Sequence, residues 1–421
     1  MLLFGSALCL AQIFTVDDNG PADFSDLPEA VAAASAGDTI LVQPGVYTSF
    51  SLDKGVKILG QSPQAVRVET PGGPVAIGGV PAGEEAIVGG LTVQPNGGPA
   101  VPFTVTGNAG SVVLHDLQIG QVLGAIGNPP GGLLILGSDQ VLLSHCELFG
   151  GGEQQLAGGF QGNVALEADL SNVSLQGCRV VGGTGSGVDA SNGQAGIRLV
   201  ATSLELIRTT VDGGATVVQA NRAGDAIIAQ AGSEVVAWGI GGEIQGGSVT
   251  GASVSSDTDG GYGIILQDSS ALVHPDVPVA GGKSGTLPQF DADPVLLAPG
   301  GVFESLDARP PTLTAAPLHL EAGDTVDFNL SGEDDAVVAV YWSLALGSPL
   351  ALDGLFGQLR LDLATAAPLF TEVLSFEGFG FEQIPVAASP SLLGVAVHLQ
   401  GAQVAPGLVG FSNVAIIPID L

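Results

Sequence analysis

The stretch Leu114-His115-Asp116-Leu117-Gln118-Ile119 decides the fold, because the chain repeats its pattern at nearly even intervals. The pattern is apolar, two free positions, small or apolar, one free position, apolar. It appears as Val88-Gly89-Gly90-Leu91-Thr92-Val93 and as Leu143-Ser144-His145-Cys146-Glu147-Leu148. Leu175-Gln176-Gly177-Cys178-Arg179-Val180 and Leu206-Ile207-Arg208-Thr209-Thr210-Val211 continue it, and His274, Val277 and Val279 fill a degenerate copy. The fourth slot steps from Leu91 to Leu117, Cys146, Cys178 and Thr209, a period of 26 to 32 residues. Glycine pairs at 150–151, 182–183, 213–214, 246–247 and 281–282 close the copies. A repeat of this length with strand-like content means stacked coils, none of which can bury its own apolar face alone.

Composition agrees. The chain has 421 residues, 65 glycines and 26 prolines, yet 45% of it is hydrophobic, so the glycines are read as turns in a packed structure and not as disorder. It carries 42 acidic and 10 basic residues, a formal net charge of -32. That balance excludes nucleic acid and anionic membrane surfaces as partners, since phosphate binding needs clustered Lys and Arg.

The segment Met1 to Ala11 is short and apolar and ends at small residues, and is expected to be the remnant of an export signal. No other stretch is apolar enough over a bilayer's width to predict a transmembrane span. Residues 25–36 predict a helix with Ser25 as its cap and Gly37 as its stop, with Leu27, Val31 and Ala34 on the face that covers the end of the solenoid. Trp238, where the repeat is broken, is expected to plug the core of an irregular coil.

The run from Phe24 through Gly60 carries Asp23-Phe24, Glu29-Ala30-Val31, Ala36-Gly37-Asp38-Thr39-Ile40, Pro44-Gly45-Val46-Tyr47 and Val56-Lys57-Ile58-Leu59-Gly60. It resembles the N-terminal part of the right-handed parallel β-helix, or pectin-lyase-like, superfamily, over roughly residues 15 to 290. The resemblance implies an all-β fold: a right-handed parallel β-helix solenoid with an N-terminal capping helix. It fixes no activity, since members include polysaccharide lyases, hydrolases, esterases, tailspikes and non-catalytic surface proteins.

The expected organisation is a solenoid over residues 12–293, a proline-rich linker over 294–315 and a β-sandwich over 316–421. Strands in the last part are read at 325–330, 337–346, 357–363, 374–379, 393–399 and 414–419.

If the fourth slot faces inward and side chains alternate, its two neighbours face outward in columns. One runs Gly90, Asp116, His145, Gly177, Arg208 and the other Thr92, Gln118, Glu147, Arg179, Thr210. Asp116, His145, Glu147 and Arg179 are the place where the sparse ionisable residues are expected to converge. They form a candidate catalytic patch in which a carboxylate orients His145 as a base and Arg179 polarises a sugar. The alternative is a ladder of cross-strand pairs. Long segments at 121–131, 153–162 and 184–196 would flank that patch.

Cys146 and Cys178 occupy one slot of consecutive coils and predict a stacked pair of buried thiols, against a disulfide or a metal site. The only cofactor with a place in the sequence is Ca2+, at Asp257 and Asp259 in a polar turn, without the twelve-residue calcium-loop spacing. The sequence has no G-x-S-x-G, no H-E-x-x-H and no phosphate loop. The leading expectation is a secreted or cell-surface scaffold or adhesin that binds an extracellular polysaccharide or cell envelope. The rival is a polysaccharide lyase or glycoside hydrolase working through the four patch residues.

Overall fold

A computed structural model describes residues 11–95, 101–120, 131–151, 163–186, 193–217, 222–250, 259–284, 291–318, 320–321, 323–352, 355–386, 394–406 and 408–420. From Ile13 to Ser305 the chain winds as a right-handed parallel β-helix. One coil shows the plan: Leu166–Asp169, a corner, Asn172–Gln176, a second corner, Arg179–Val181, and then a glycine turn. Equivalent strands stack in parallel as three faces. One is a separate nine-stranded sheet; the other two count as a single 18-stranded sheet because Glu85–Gln94 and Ser111–Ile119 run unbroken around the corner between them.

The repeated phrase sits in register, Leu114 beside Leu143, Leu143 beside Leu175 and Leu175 beside Leu206. Leu91, Leu117, Cys146, Cys178 and Thr209 are all buried, as the repeat predicts. Cys146 and Cys178 are free thiols. The Cys146 amide donates to Cys178 Sγ at 3.4 Å and the Cys178 amide to Thr209 Oγ1 at 3.3 Å, so this slot holds small side chains that accept from the coil before.

One expectation is overturned. The neighbours on both sides of the fourth slot do face outward, but the phrase is not one flat strand, so they do not share one face. Asp116, His145 and Arg208 have φ of 47°, 56° and 51°, matched by Gly90 at 66° and Gly177 at 60°. These left-handed residues form the corner between two faces. The reason is in the spacing: the phrase's inward residues stand at positions one, four and six, and a step of three cannot keep both ends on one side of a period-two strand. The left-handed residue at position three absorbs the odd step, at a cost of roughly 1 kcal/mol for a residue with a Cβ.

A second left-handed column follows the nine-stranded face, at Gly137, Leu170, Ala201, Ala231 and Asp268, with φ between 46° and 56°. One residue later in the first three coils, and two later in the coil of Ala231, the buried hydroxyls of Ser138, Ser171, Thr202 and Ser233 take up amides that the bend frees. Ser138 N donates to Ser171 Oγ at 3.1 Å, Ser171 N to Thr202 Oγ1 at 3.4 Å and Thr202 N to Ser233 Oγ at 3.2 Å. Buried backbone donors need such partners.

At the third corner the chain leaves each coil and returns, and the two legs interleave. Gln194 N donates to Gly183 O at 2.9 Å, Gly214 N to Gln194 O at 2.8 Å, Gly224 N to Gly214 O at 2.8 Å and Gly247 N to Gly224 O at 2.8 Å. A Cβ on Gly214 would collide with the Gly183 carbonyl, which explains the glycine pairs.

The predicted helix is present but shorter, Leu27–Ala33, and its N-cap is Asp26, not Ser25. Asp26 Oδ1 accepts from Leu27 N at 2.8 Å and from Thr48 N at 3.0 Å, so the cap also ties the helix to the coil beneath it. Leu27, Ala30 and Val31 are buried in the solenoid core.

The segment 294–315 is not a free linker. Val295–Leu297 pairs with Ile264–Gln267 and Val302–Ser305 with Ser270–Val273, completing a last coil, and Thr312–Ala316 opens the second unit. That unit has a three-stranded sheet with Thr325–Ser331 and Phe379–Pro385, and a five-stranded sheet that includes Val337–Ser343, Ala367–Val373, Ala396–Ala405 and Leu408–Asp420. The strand expected at 374–379 is a turn: Gly378 has φ of 75°, and Ser375 N donates to Phe379 O at 2.8 Å. Its apolar letters belong to the turn that carries the chain from the five-stranded sheet to the three-stranded one, where Phe376 is exposed.

This unit lies along the side of the solenoid. Leu41, Leu59, Ile87, Val113 and Leu142, which point outward, are buried against Leu361, Ala396, Val414 and Ile416. Arg360 bonds Glu205 at 2.7 Å across the contact, and His398 stands 3.2 Å from Glu85. Trp238 is buried as expected, but its ring meets Phe356 of the second unit edge-on at 5.2 Å, so it seals the contact and not a coil interior.

Two substitutions separate the causes of glycine. Gly137→Ala, at φ 54° with open space around its Cβ, is expected to cost about 1 kcal/mol in urea unfolding. Gly214→Ala, which must push backbone apart, is expected to cost several times more; equal costs would remove the interleaved stack as its explanation. Leu142→Ala is expected to destabilise by roughly 2–5 kcal/mol and to shift the unfolding of both units together.

Candidate functional site

Past the left-handed corner each coil lays a short strand on the face not covered by the sandwich. Gln118, Glu147, Arg179, Thr210 and Glu243 are register partners along it, one per coil. Two residues further on, Phe149, Val181, Asp212 and Gln245 form a second outward column. Between these columns and the stacked glycines runs a groove of about 450 Å3, whose polar lining comes from Gln118, Glu147, Arg179, Thr184, Asp212 and Gln245.

Gln118 Nε2 donates to Glu147 Oε2 at 3.1 Å. The Arg179 guanidinium lies 5.9 Å from the centre of the Phe149 ring, which places an aromatic surface beside the charges. Asp212 is the most perturbed group in the groove. Its carboxyl is pushed above its ordinary 3.8 by partial burial, Arg179 pulls it back, and Glu243 pushes it further up.

The structure divides the four residues expected to converge. Glu147 and Arg179 line the groove. His145 lines a different crevice, between the solenoid corner and the sandwich. The bend at Asp116 and His145 turns those side chains away from the face that carries the other two. In its crevice the His145 ring accepts from, or donates to, Ser144 Oγ at 2.9 Å. Its pKa is lowered, chiefly by burial, with Asp116 opposing and Arg208 adding to the shift.

Asp212 was missed in the sequence because it is the last residue of its strand, two past the slot the repeat marks. Its only sign there is a carboxylate at a position held by Phe149 and Val181 in the coils before. Of the segments expected to flank the patch, 121–130, 152–162 and 187–192 lie outside the described residues, as does Asp257. Asp259 bridges to Arg222 through its backbone. Among the described residues no group of three or more His, Cys, Asp or Glu side chains is placed to hold a metal, and no helix is long and apolar enough to cross a membrane.

No protein-family model and no curated protein matches the chain. Among solved structures it is similar to the enzymatically active domain of bacteriophage CBA120 tailspike protein 2. The identity is 10% and the TM-score 0.33, over 88% of this chain and 69% of that one. It is also similar to the sporulation control protein Spo0M of Bacillus subtilis, with 12% identity and a TM-score of 0.16, over 28% of this chain and 51% of that one. Likenesses this distant carry no argument about activity.

The raised pKa of Asp212 makes a stability prediction with a definite sign. A carboxyl that holds its proton more tightly when folded stabilises below 3.8 and loses that contribution as pH rises through its folded pKa, so at neutral pH the ionised group is a net cost. Asp212→Asn is therefore expected to raise the melting temperature at pH 7 and to lose the advantage near pH 3. A lower melting temperature at pH 7 would show that the carboxylate is a structural partner.

Proposed function

We propose that this parallel β-helix binds a polysaccharide along the groove that holds Gln118, Glu147, Arg179, Asp212 and Gln245. The observation that carries the reading is the ladder itself. Amide, carboxylate and guanidinium groups recur once per coil at a rise of about 4.8 Å, comparable to the length of one sugar unit, and Phe149 supplies a face for a pyranose ring. A chain with 42 acidic and 10 basic residues favours neutral or sparsely charged glycans over polyanions. Such a role fits a protein that works at the cell surface or outside it, with the sandwich bracing one flank of the solenoid and leaving the groove open.

A second reading is favoured by Asp212. A carboxyl that keeps its proton to higher pH has the chemistry of a general acid. Glu147 stands two coils away on the same face, two rungs of about 4.8 Å, so the reading is an inverting hydrolysis with a water between the two carboxyl groups and not a retaining pair in close contact. Asp212 would protonate the leaving oxygen and Glu147 would take the proton from the attacking water, while Arg179, between them, steadies the sugar.

Binding is tested on an array of neutral and acidic glycans, followed by titration of the best ligand. Arg179→Ala is expected to weaken it about tenfold or more, and His145→Asn to leave it unchanged. Loss of binding in His145→Asn alone would move the site to the crevice. The hydrolase reading expects new reducing ends of inverted configuration, abolished in Asp212→Asn although that variant is the more stable protein. Binding without any product leaves the protein an adhesin.

A further inference from the structure

The crevice between the solenoid corner and the sandwich is separate from the groove. It encloses about 390 Å3, with Ser144, His145, Gly177 and Arg208 on the solenoid side and Thr314 and Asn413 on the other. Among the described residues the Arg208 side chain makes one hydrogen bond, Nη1 to Thr314 Oγ1 at 3.4 Å, and no carboxylate lies within ion-pair distance of it. In a chain with four times more acids than bases, 42 against 10, a guanidinium left without a carboxylate at the mouth of a crevice is a marked position.

His145 faces the same space. Nδ1 is engaged by Ser144 Oγ at 2.9 Å, which leaves Nε2 as the ring nitrogen turned to the gap. Nε2 lies over the coil of Gly177, where an added Cβ would come within 3.3 Å of it. The coil between His145 and Arg208 thus presents no side chain, and the gap is bounded by the imidazole Nε2 on one side, an N–H donor once the ring is protonated, and a guanidinium on the other. The charged or titratable groups around His145 are Asp116 and Arg208 in its own column and His115, edge-on at 5.9 Å; the sandwich residues that line the crevice carry no charge. Arg208 disfavours the charged imidazole, and an anion between the two would reverse that effect.

We propose that the crevice binds a monocarboxylate of about monosaccharide size, its carboxylate held between Arg208 and His145 above Gly177. A planar carboxylate matches the guanidinium fork, and a single negative charge is repelled less than phosphate by a chain of net charge -32. The proposal does not depend on the groove, and either can fail alone.

The full chain is titrated calorimetrically with glucuronate, glucose and inorganic phosphate at pH 6 and pH 8. Glucuronate is expected to bind and glucose not, with tighter binding at pH 6 because the bound anion draws a proton onto His145. Arg208→Asn and His145→Asn, which suit a left-handed residue, are each expected to weaken glucuronate about tenfold or more. Arg198→Gln, which also removes a positive charge but lies on the nine-stranded face outside both sites, is expected to change nothing. Melting temperatures identify folded variants, and if one of the pair does not fold the other decides. Silence with glucuronate, binding that survives both substitutions, or binding of phosphate alone would overturn the assignment.

Discussion

The structure depends on one geometric constraint: every coil must turn its corners at the same place as the coil beneath it. Parallel strands stack only if each residue finds its counterpart one coil away, as Leu114, Leu143, Leu175 and Leu206 do. A corner that slipped by one residue would turn every inward side chain out. The left-handed residues fix that register. Asp116, His145 and Arg208 accept a backbone conformation that costs a residue with a Cβ roughly 1 kcal/mol, because the alternative is to lose alignment along the whole stack. Each corner has its own way of satisfying the groups it frees: thiols and Thr209 at one, hydroxyls at the second, interleaved glycine backbone at the third.

The three faces then meet different surroundings, and their sequences differ accordingly. The face under the sandwich is buried on both sides, with outward apolar residues such as Leu142 and with Glu85 and Glu205 paired across the contact; Gln140–Ser144 is buried at every position, although its pleat sends alternate residues outward. A strand covered on both faces reads as a continuous apolar run. The groove face keeps polar residues outward because solvent lies over it, and there Glu147, Arg179 and Asp212 stand together. The sandwich thus sets which columns can carry chemistry, by covering one and leaving the other.

Much of this was legible in the sequence. The spacing of the phrase gave the solenoid, the burial of Leu117, Cys146, Cys178 and Thr209, and the pairing of Glu147 with Arg179 on adjacent coils. The corner was also written there, in the odd step from position one to position four, and it was missed because the phrase was treated as a single strand. The covered face had its own sign, the unbroken apolar runs Val112-Val113-Leu114 and Val141-Leu142-Leu143. Where the second unit docks is different in kind. It rests on contacts such as Arg360 with Glu205 and Trp238 with Phe356, far apart in sequence, which no local pattern encodes.

The same corner that was hard to read explains why the ionisable residues fall into two sets and not one. A column on a flat strand would put His145 beside Glu147 with only an inward residue between them. The left-handed turn at His145 sends that side chain toward the sandwich, while the strand beyond carries Glu147 to the open face. Burial disfavours the charged form in both places, which lowers the pKa of His145 in the crevice and raises that of Asp212 in the groove. Because both positions are held by stacked backbone on every coil, each set keeps a fixed place on the solenoid, which offers two polar surfaces that can act independently.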